Sequence, residues 1–224
     1  MEILNIDDFT ENRYQTAIAL GNFDGIHYGH QVLIKNMVKK AKMNGLKGSV
    51  LLFQNHTKEC INGTCPSLMS SLEQKYDLLN KLGVDMVYNI EFNETIMKLS
   101  PEEFVIDMLI NKLNVKSIFI GYDYRFGYKA KGDSNLLRAI CNSYGIYVEV
   151  LEPITFKDEV VSSTRIRSLI EEAKLEDVKA LLGRNYSIIG KVVSGKSLGS
   201  KLGFPTANIE PIINYVIPKH GVYS

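Results

Sequence analysis

Short apolar runs and helical stripes alternate along most of the chain. Thr16–Leu20 carries no charge, which predicts a strand buried on both faces and ending at Gly21. Beyond it the apolar positions take helical spacing at Val32, Leu33, Met37 and Val38, with Gly45 as the stop. Ser49–Phe53 predicts the next strand, Leu72–Leu82 a helix stopped by Gly83, and Met86–Ile90 another strand. Ser100-Pro101-Glu102-Glu103 has the makings of a helix start: a hydroxyl at the N-cap, proline in the first turn and glutamate three residues on. Phe104, Val105, Met108 and Leu109 supply that helix with an apolar face. Ser117–Ile120 predicts a strand ending at Gly121. Asp133 caps a helix that runs to Tyr144 and stops at Gly145, and Ile146–Val150 completes the series.

This alternation predicts an α/β fold with a mostly parallel sheet covered on both faces. Ligands of such sheets bind at the carboxyl ends of the strands. Three unusual loops lie at or near such ends: Gly21–His30, Gln54–Leu68 and Gly121–Gly132. After Gly183 the texture changes. Ser187–Val193 is a β-type run, followed by Gly195, Gly199 and Gly203 and then Pro205, Pro211 and Pro218, with no helical stripe. A boundary is therefore expected near Gly183–Tyr186, dividing the chain into 1–185 and 186–224.

Composition narrows the function. With 45% hydrophobic and 23% charged residues, the 224-residue chain can bury a core. Lys+Arg is 26 against 25 Asp+Glu, net +1, so no broad basic surface for nucleic acid is expected, although a local anion pocket remains open. No apolar run has the ~18 residues of a membrane helix, and the acidic amino end lacks a signal-peptide core. Cys60, Cys65 and Cys141 are too few and odd in number for a disulfide framework. A reduced, cytoplasmic protein is expected, in which the N-x-T triplets at Asn55, Asn62 and Asn93 are chance matches. Oligomeric state is not indicated.

The first candidate site is Gly21-Asn22-Phe23-Asp24-Gly25-Ile26-His27-Tyr28-Gly29-His30. The glycines let the backbone turn tightly beside a ligand. His27 and His30 are three apart at a helix start, next to free N–H groups and the positive end of the dipole, which points to a phosphate site. The second is Val161-Ser162-Ser163-Thr164-Arg165-Ile166-Arg167, where hydroxyls open a helix carrying two arginines in its first turns. Taken alone, it reads equally well as an ordinary capped helix.

Together these elements resemble the H-x-G-H nucleotidyltransferases. With Gly121-Tyr122-Asp123-Tyr124-Arg125-Phe126-Gly127, Leu181-Leu182-Gly183-Arg184 and Leu202-Gly203-Phe204-Pro205-Thr206-Ala207-Asn208, the whole chain resembles the bacterial bifunctional FAD synthetases (riboflavin kinase/FMN adenylyltransferases). The resemblance implies a Rossmann-like nucleotidyltransferase domain over 1–185, followed by the opening, incomplete β-barrel segment of a riboflavin kinase over 186–224. It implies ATP and FMN as substrates of adenylyl transfer, riboflavin as substrate of the parent protein's kinase, and Mg²⁺ on the phosphates.

Residue by residue, it implies that Gly21, Asn22, Phe23, Asp24, Gly25 and Gly29 hold the adenine nucleotide, with Ser162 and Arg165 assisting. His27 and His30 would meet the phosphates, and Ser163, Thr164 and Arg167 would close on them from the other side. Phe53, His56, Asp123, Arg125 and Phe126 would serve the flavin. In the kinase segment Gly195, Lys196, Gly199, Gly203 and Pro205 would form a nucleotide and flavin loop, with Thr206 and Asn208 near Mg²⁺. The chain departs from the family's F-x-P-H-P segment, because Asn55 and Thr57 replace both prolines and a Cys60…Cys65 loop follows.

Other readings are weaker. His56, Cys60 and Cys65 lack a fourth ligand and the spacing of a zinc site. Gly190-Lys191-Val192-Val193-Ser194-Gly195-Lys196-Ser197 fits the P-loop pattern literally, but it begins inside a β-type run and is followed by Leu198-Gly199-Ser200-Lys201-Leu202-Gly203, which does not readily open a helix. Another H-x-G-H nucleotidyltransferase would share the histidines, and a non-catalytic flavin-binding module would fit the altered Asn55-His56-Thr57. The 39 residues left after 185 are too few to fold alone (224 − 185). Kinase activity is accordingly expected to be absent from this chain.

Overall fold

The computed structural model describes residues 1–55, 66–194 and 206–223. Six strands form one sheet: β1 (Glu2–Asn5), β2 (Thr16–Ala19), β3 (Lys47–Phe53), β4 (Met86–Ile90), β5 (Val115–Gly121) and β6 (Tyr147–Leu151). Their spatial order is β1-β4-β3-β2-β5-β6, and every pairing is parallel. The order reverses at β2, with β3, β4 and β1 on one side and β5 and β6 on the other. The carboxyl ends of β2 and β5 therefore flank the crevice where sheets of this kind bind ligands.

Helices cover both faces, as the apolar runs require. On one face α1 (Tyr28–Met43) buries Leu33, Ile34, Met37, Val38 and Ala41, beside Leu79 of α2 (Leu72–Lys81). On the other lie Phe104, Val105, Met108 and Leu109, together with Leu137 and Cys141 of α5 (Ser134–Asn142). Between them come a short helix, α3 (Glu94–Lys98), and α4, which opens at Pro101–Glu103. The predicted capping box of Ser100 and Glu103 is present in full. Past it, Phe104–Lys112 winds more widely than an α-helix, and the Leu113 amide donates to the Met108 carbonyl five residues back at 2.9 Å. The apolar stripe there predicted which side is buried, but a burial pattern does not specify the hydrogen-bond step.

Among the elements that escaped the sequence pattern are an edge strand and a short hairpin. β1 is a four-residue edge strand lying parallel to β4, from Glu2↔Met86 to Asn5↔Asn89. With one face open it shows neither a continuous apolar run nor a full alternation. The hairpin of β7 (Thr155–Phe156) and β8 (Glu159–Val160) is shorter than any periodicity can register.

A third apolar cluster joins α6 (Ser163–Glu171) and α7 (Leu175–Leu182) to the sheet domain through Met69, Ile166, Ile170, Leu181 and Leu182. α7 ends at Gly183 with φ +67°, at the point where the texture of the sequence changes. Beyond it β9 (Gly190–Val193) pairs antiparallel with β10 (Asn208–Pro211). The chain then returns to the larger body. Val216 is buried in the third cluster, and its amide donates to Leu68 O at 2.9 Å, while Leu68 N donates to Asn214 O at 2.8 Å.

Candidate functional site

The turn after β2 is unusually contorted. Phe23, Gly25 and Ile26 all have positive φ, at 48°, 73° and 39°. For a β-branched residue such a backbone is a genuine outlier, and each strained residue costs ~1–3 kcal/mol. Burial offsets the cost: the Phe23 and Ile26 side chains are fully enclosed in the α1-face core. Gly25 has a positive φ that favours glycine, and an added Cβ would crowd the Met69 side chain at 3.0 Å.

Side chains from later elements hold the turn, among them Ser70 Oγ, which accepts from the Gly25 amide at 3.0 Å. Asp24 is buried, and its Oδ1 accepts from the Met69 amide at 3.0 Å. Its Oδ2 takes Arg167 Nη2 at 2.7 Å, and Arg167 Nε also donates to Ser67 O. Ser163 Oγ donates to Asp24 O at 3.3 Å. Gln31 Nε2 bridges Ile26 O and Leu182 O. Arg184 donates to Gly25 O at 2.6 Å and to Ile26 O at 3.4 Å.

His27 is the N-cap of α1, and its Nδ1 accepts from the His30 amide at 3.4 Å. That contact leaves the proton of the neutral ring on Nε2. The His30 ring stacks on His27 with centroids 3.7 Å apart and planes at 15°, and Phe23 meets His30 edge-on. His30 Nδ1 is buried with no partner. Burial lowers the His27 pKa to about 4. Burial, then the neighbouring His27 and Lys75, lower that of His30 well below the usual range. Both rings are therefore neutral near pH 7, and each offers one N–H. The first-turn amides of Tyr28 and Gly29 have no acceptor within the helix. Gly29 leaves the approach clear, since a Cβ there would sit 3.3 Å from the His27 ring.

One recess has residues of this turn in its wall, and a second touches the first residue of α1. A cavity of about 260 Å³ is lined by Asn22, Asp24, Phe53, Ser70, Lys75 and Ile212, among others. A second of about 220 Å³ is lined by Tyr28, Phe156, Val161 and Leu181, among others.

The structure brings together Gly21, Asn22, Phe23, Asp24, Gly25, His27, Gly29, His30, Ser163 and Arg167. It gives several of them roles other than those expected. Asp24 and Arg167 face each other as a buried ion pair that braces the turn. Ser162 caps α6 by accepting from the Arg165 amide, and Thr164 is exposed. Arg165 is not brought to the turn. It clasps the β7–β8 hairpin through Phe156 O, Glu159 O and the Glu159 carboxylate at 2.8 Å, because alternate residues of a helix start point apart.

Phe53 lines the larger cavity and packs edge-on against Phe92. Phe126 is a core residue instead of a cavity wall, buried against Phe104 and Tyr124. Asp123 is exposed at the end of β5, and Arg125 pairs with Asp133 at 3.6 Å. His56, Cys60, Cys65, Gly195, Lys196, Gly199, Gly203 and Pro205 lie outside the described residues. Thr206 and Asn208 are exposed at and beside the start of β10. Among the described residues no group of three or more His, Cys, Asp or Glu could hold a metal ion, and no helix is long and apolar enough to cross a membrane.

Sequence reasoning missed Lys75 and Gln31. Lys75 carries a usable signal, since a cation in the first turns of a helix opposes the dipole and needs another reason to be there.

Residues 9–165 match the FAD synthetase family, and residues 182–224 match the riboflavin kinase family. The chain belongs to the bifunctional riboflavin kinase/FMN adenylyltransferase family. A family member from Buchnera aphidicola (subsp. Schizaphis graminum) is 37% identical over 99% of this chain and 72% of its own length. Another from Listeria monocytogenes is 35% identical over 99% of this chain and 70% of its own. A crystal structure of a protein from Streptococcus pneumoniae, described as a macrolide-efflux protein, superposes with a TM-score of 0.89 at 28% identity, covering 100% of this chain and 73% of that one. The expected family and the α/β fold with a parallel sheet are both borne out.

Proposed function

We propose that residues 1–185 transfer the adenylyl group of ATP to FMN, giving FAD and pyrophosphate, and that 186–224 begin a riboflavin kinase. The observation that carries the reading is the pair of stacked neutral histidines at the start of α1, on the same turn whose Asn22 and Asp24 line a cavity. Family membership supplies the substrate class.

A phosphate oxygen of FMN attacks the α-phosphorus of ATP, forming one P–O bond as the bond to the β-phosphate oxygen breaks and pyrophosphate departs. The FMN phosphate is anionic at neutral pH, so no general base is needed. The protein has to align the reactants and meet the charge that grows on the leaving group. The Nε2–H of His27, one N–H of His30 and the free amides of Tyr28 and Gly29 are the donors for that charge. Gly21, Asn22, Phe23 and Gly25 form the turn around it, with Asp24, Ser163 and Arg167 bracing. Phe53 walls the flavin side, with Asp123 and Arg125 on the neighbouring loop.

Mg²⁺ fits as an ion carried in by the triphosphate, because the nearest carboxylate, Asp24, is already taken by Met69, Ser70 and Arg167. Bound there it would neutralise phosphate charge. We place the protein in the cytoplasm, acting on small molecules and not on nucleic acid.

The test is to supply MgATP with FMN or with riboflavin and separate the flavins. FAD from FMN is expected, and FMN from riboflavin would report the kinase. His30→Ala should lower FAD formation by ~10²–10³ or more, with the fold intact by circular dichroism. Near-normal turnover in that variant rules the site out.

A further inference from the structure

Lys75 is only 8% exposed, yet among the described residues its ammonium has neither an ion pair nor a hydrogen bond. It lines the larger cavity. Asp24 is near enough to attract it, but that carboxylate is already bound by Arg167. The interior beside the turn thus holds two cations for one anion. Glu73 also lines the cavity but is exposed. Burial pushes the Lys75 pKa down, with Arg167 adding to the effect and Asp24 opposing it, and Lys75 adds a smaller push to the burial and the His27 ring that keep His30 neutral.

Such a group is expensive three times over. It is largely shielded from water, it has no partner of its own, and it stands near the positive end of α2. A Lys kept at that cost in a cavity wall fits a site whose counter-charge arrives with a ligand. The cavity indicates which ligand. Phe53, Leu68, Leu72, Ile212 and Ile213 give it apolar walls suited to a ring system, and Asn22, Ser70 and Ser71 lie on its polar side. The histidines are not among the residues that line it.

We propose that Lys75 is a phosphate-contacting residue of this site, and that the phosphate it receives is the monoester group of the flavin nucleotide. The inference rests on the adenylyl-transfer reading. It adds a way for the site to tell a phosphorylated flavin from its unphosphorylated parent by charge.

Lys75→Met keeps the aliphatic stem and removes the charge. Affinities for FMN, riboflavin and pyrophosphate are measured by fluorescence quenching or calorimetry on the full chain. A charge-assisted contact predicts a ~10- to 100-fold loss of FMN affinity. Riboflavin binding should be unchanged, and Tm should be equal or higher because an unpaired buried charge has gone. A loss of pyrophosphate affinity with FMN unaffected would overturn the flavin assignment in favour of the nucleotide. A lower Tm with unchanged FMN binding would overturn the proposal outright and make Lys75 a structural counter-ion to Asp24. So would wild-type protein that binds FMN no tighter than riboflavin. Lys75→Gln is the second variant should the first fold poorly. If wild-type protein makes no FAD yet loses its preference for FMN over riboflavin when Lys75 is replaced, the reaction is wrong and the phosphate contact stands.

Discussion

Acid should weaken this protein through His27 in a way that one substitution can isolate. The ring is buried, caps α1 through Nδ1 and stacks on a second imidazole. Its pKa falls from 6.5 to about 4, mainly because burial disfavours the charged form. Above pH 6.5 neither the folded nor the unfolded chain binds this proton, and stability is at its full value. Between pH 6.5 and 4 the unfolded chain takes up the proton and the folded one does not, so stability falls as pH falls. At about 1.4 kcal/mol per unit, the shift amounts to about 3 kcal/mol by pH 4. His27→Asn keeps an N-cap acceptor and removes the titration. Urea denaturation of both proteins at pH 8, 6.5, 5.5 and 4.5 gives the two stability profiles. The wild-type curve should fall below the variant's by about 2–3 kcal/mol between pH 6.5 and 4.5, after matching at pH 8. Parallel curves, within about 0.5 kcal/mol, would refute the reasoning and mean that His27 is hydrated in solution.

Two further outcomes follow from the bracing of the turn. Arg167→Met strands the buried Asp24 carboxylate and should cost about 3–5 kcal/mol in urea denaturation; adding Asp24→Asn should restore part of it, whereas a loss below 1 kcal/mol would mark Arg167 as a ligand contact only. Arg184→Met removes the donors to Gly25 O and Ile26 O. It should cost about 1–3 kcal/mol and raise KM for ATP, and an unchanged KM would show that the turn keeps its shape without Arg184.

The strands of the sheet were legible because the central ones are buried on both faces, and β2 and β4 carry no charge at all. Thr16–Ala19 and Met86–Ile90 are apolar runs for that reason. The first site was legible because its chemistry is local: strand, glycine turn and histidines lie within fifteen residues of chain. What failed was partner choice across the fold. Arg165 and Arg167 look equivalent in sequence, yet one clasps a hairpin and the other a buried carboxylate. Phe126 sits in a loop that reads as a flavin wall, but its ring fills the core beside Phe104. Lys75 was missed because its burial is imposed by elements distant in sequence. One residue type in one local pattern allows several partners, and only tertiary packing selects among them.

The stitch between Leu68 and Val216 bears on the order in which this molecule is made. A ribosome releases the chain from its amino end, and early-emerging elements pair first. The histidines and the strained turn are present from the start, and α6 and α7 can dock once they emerge. Met69, which braces Asp24 through its amide, shares its cluster with Val216, and Ile212 and Ile213 wall the larger cavity. The cavity is therefore finished only when the segment around Ile212–Val216 has been synthesised and laid back across Leu68. Contacts between such distant stretches close slowly. A nascent chain shorter than that should hold a sheet and a histidine pair but an open-sided cavity, so the larger recess is completed late.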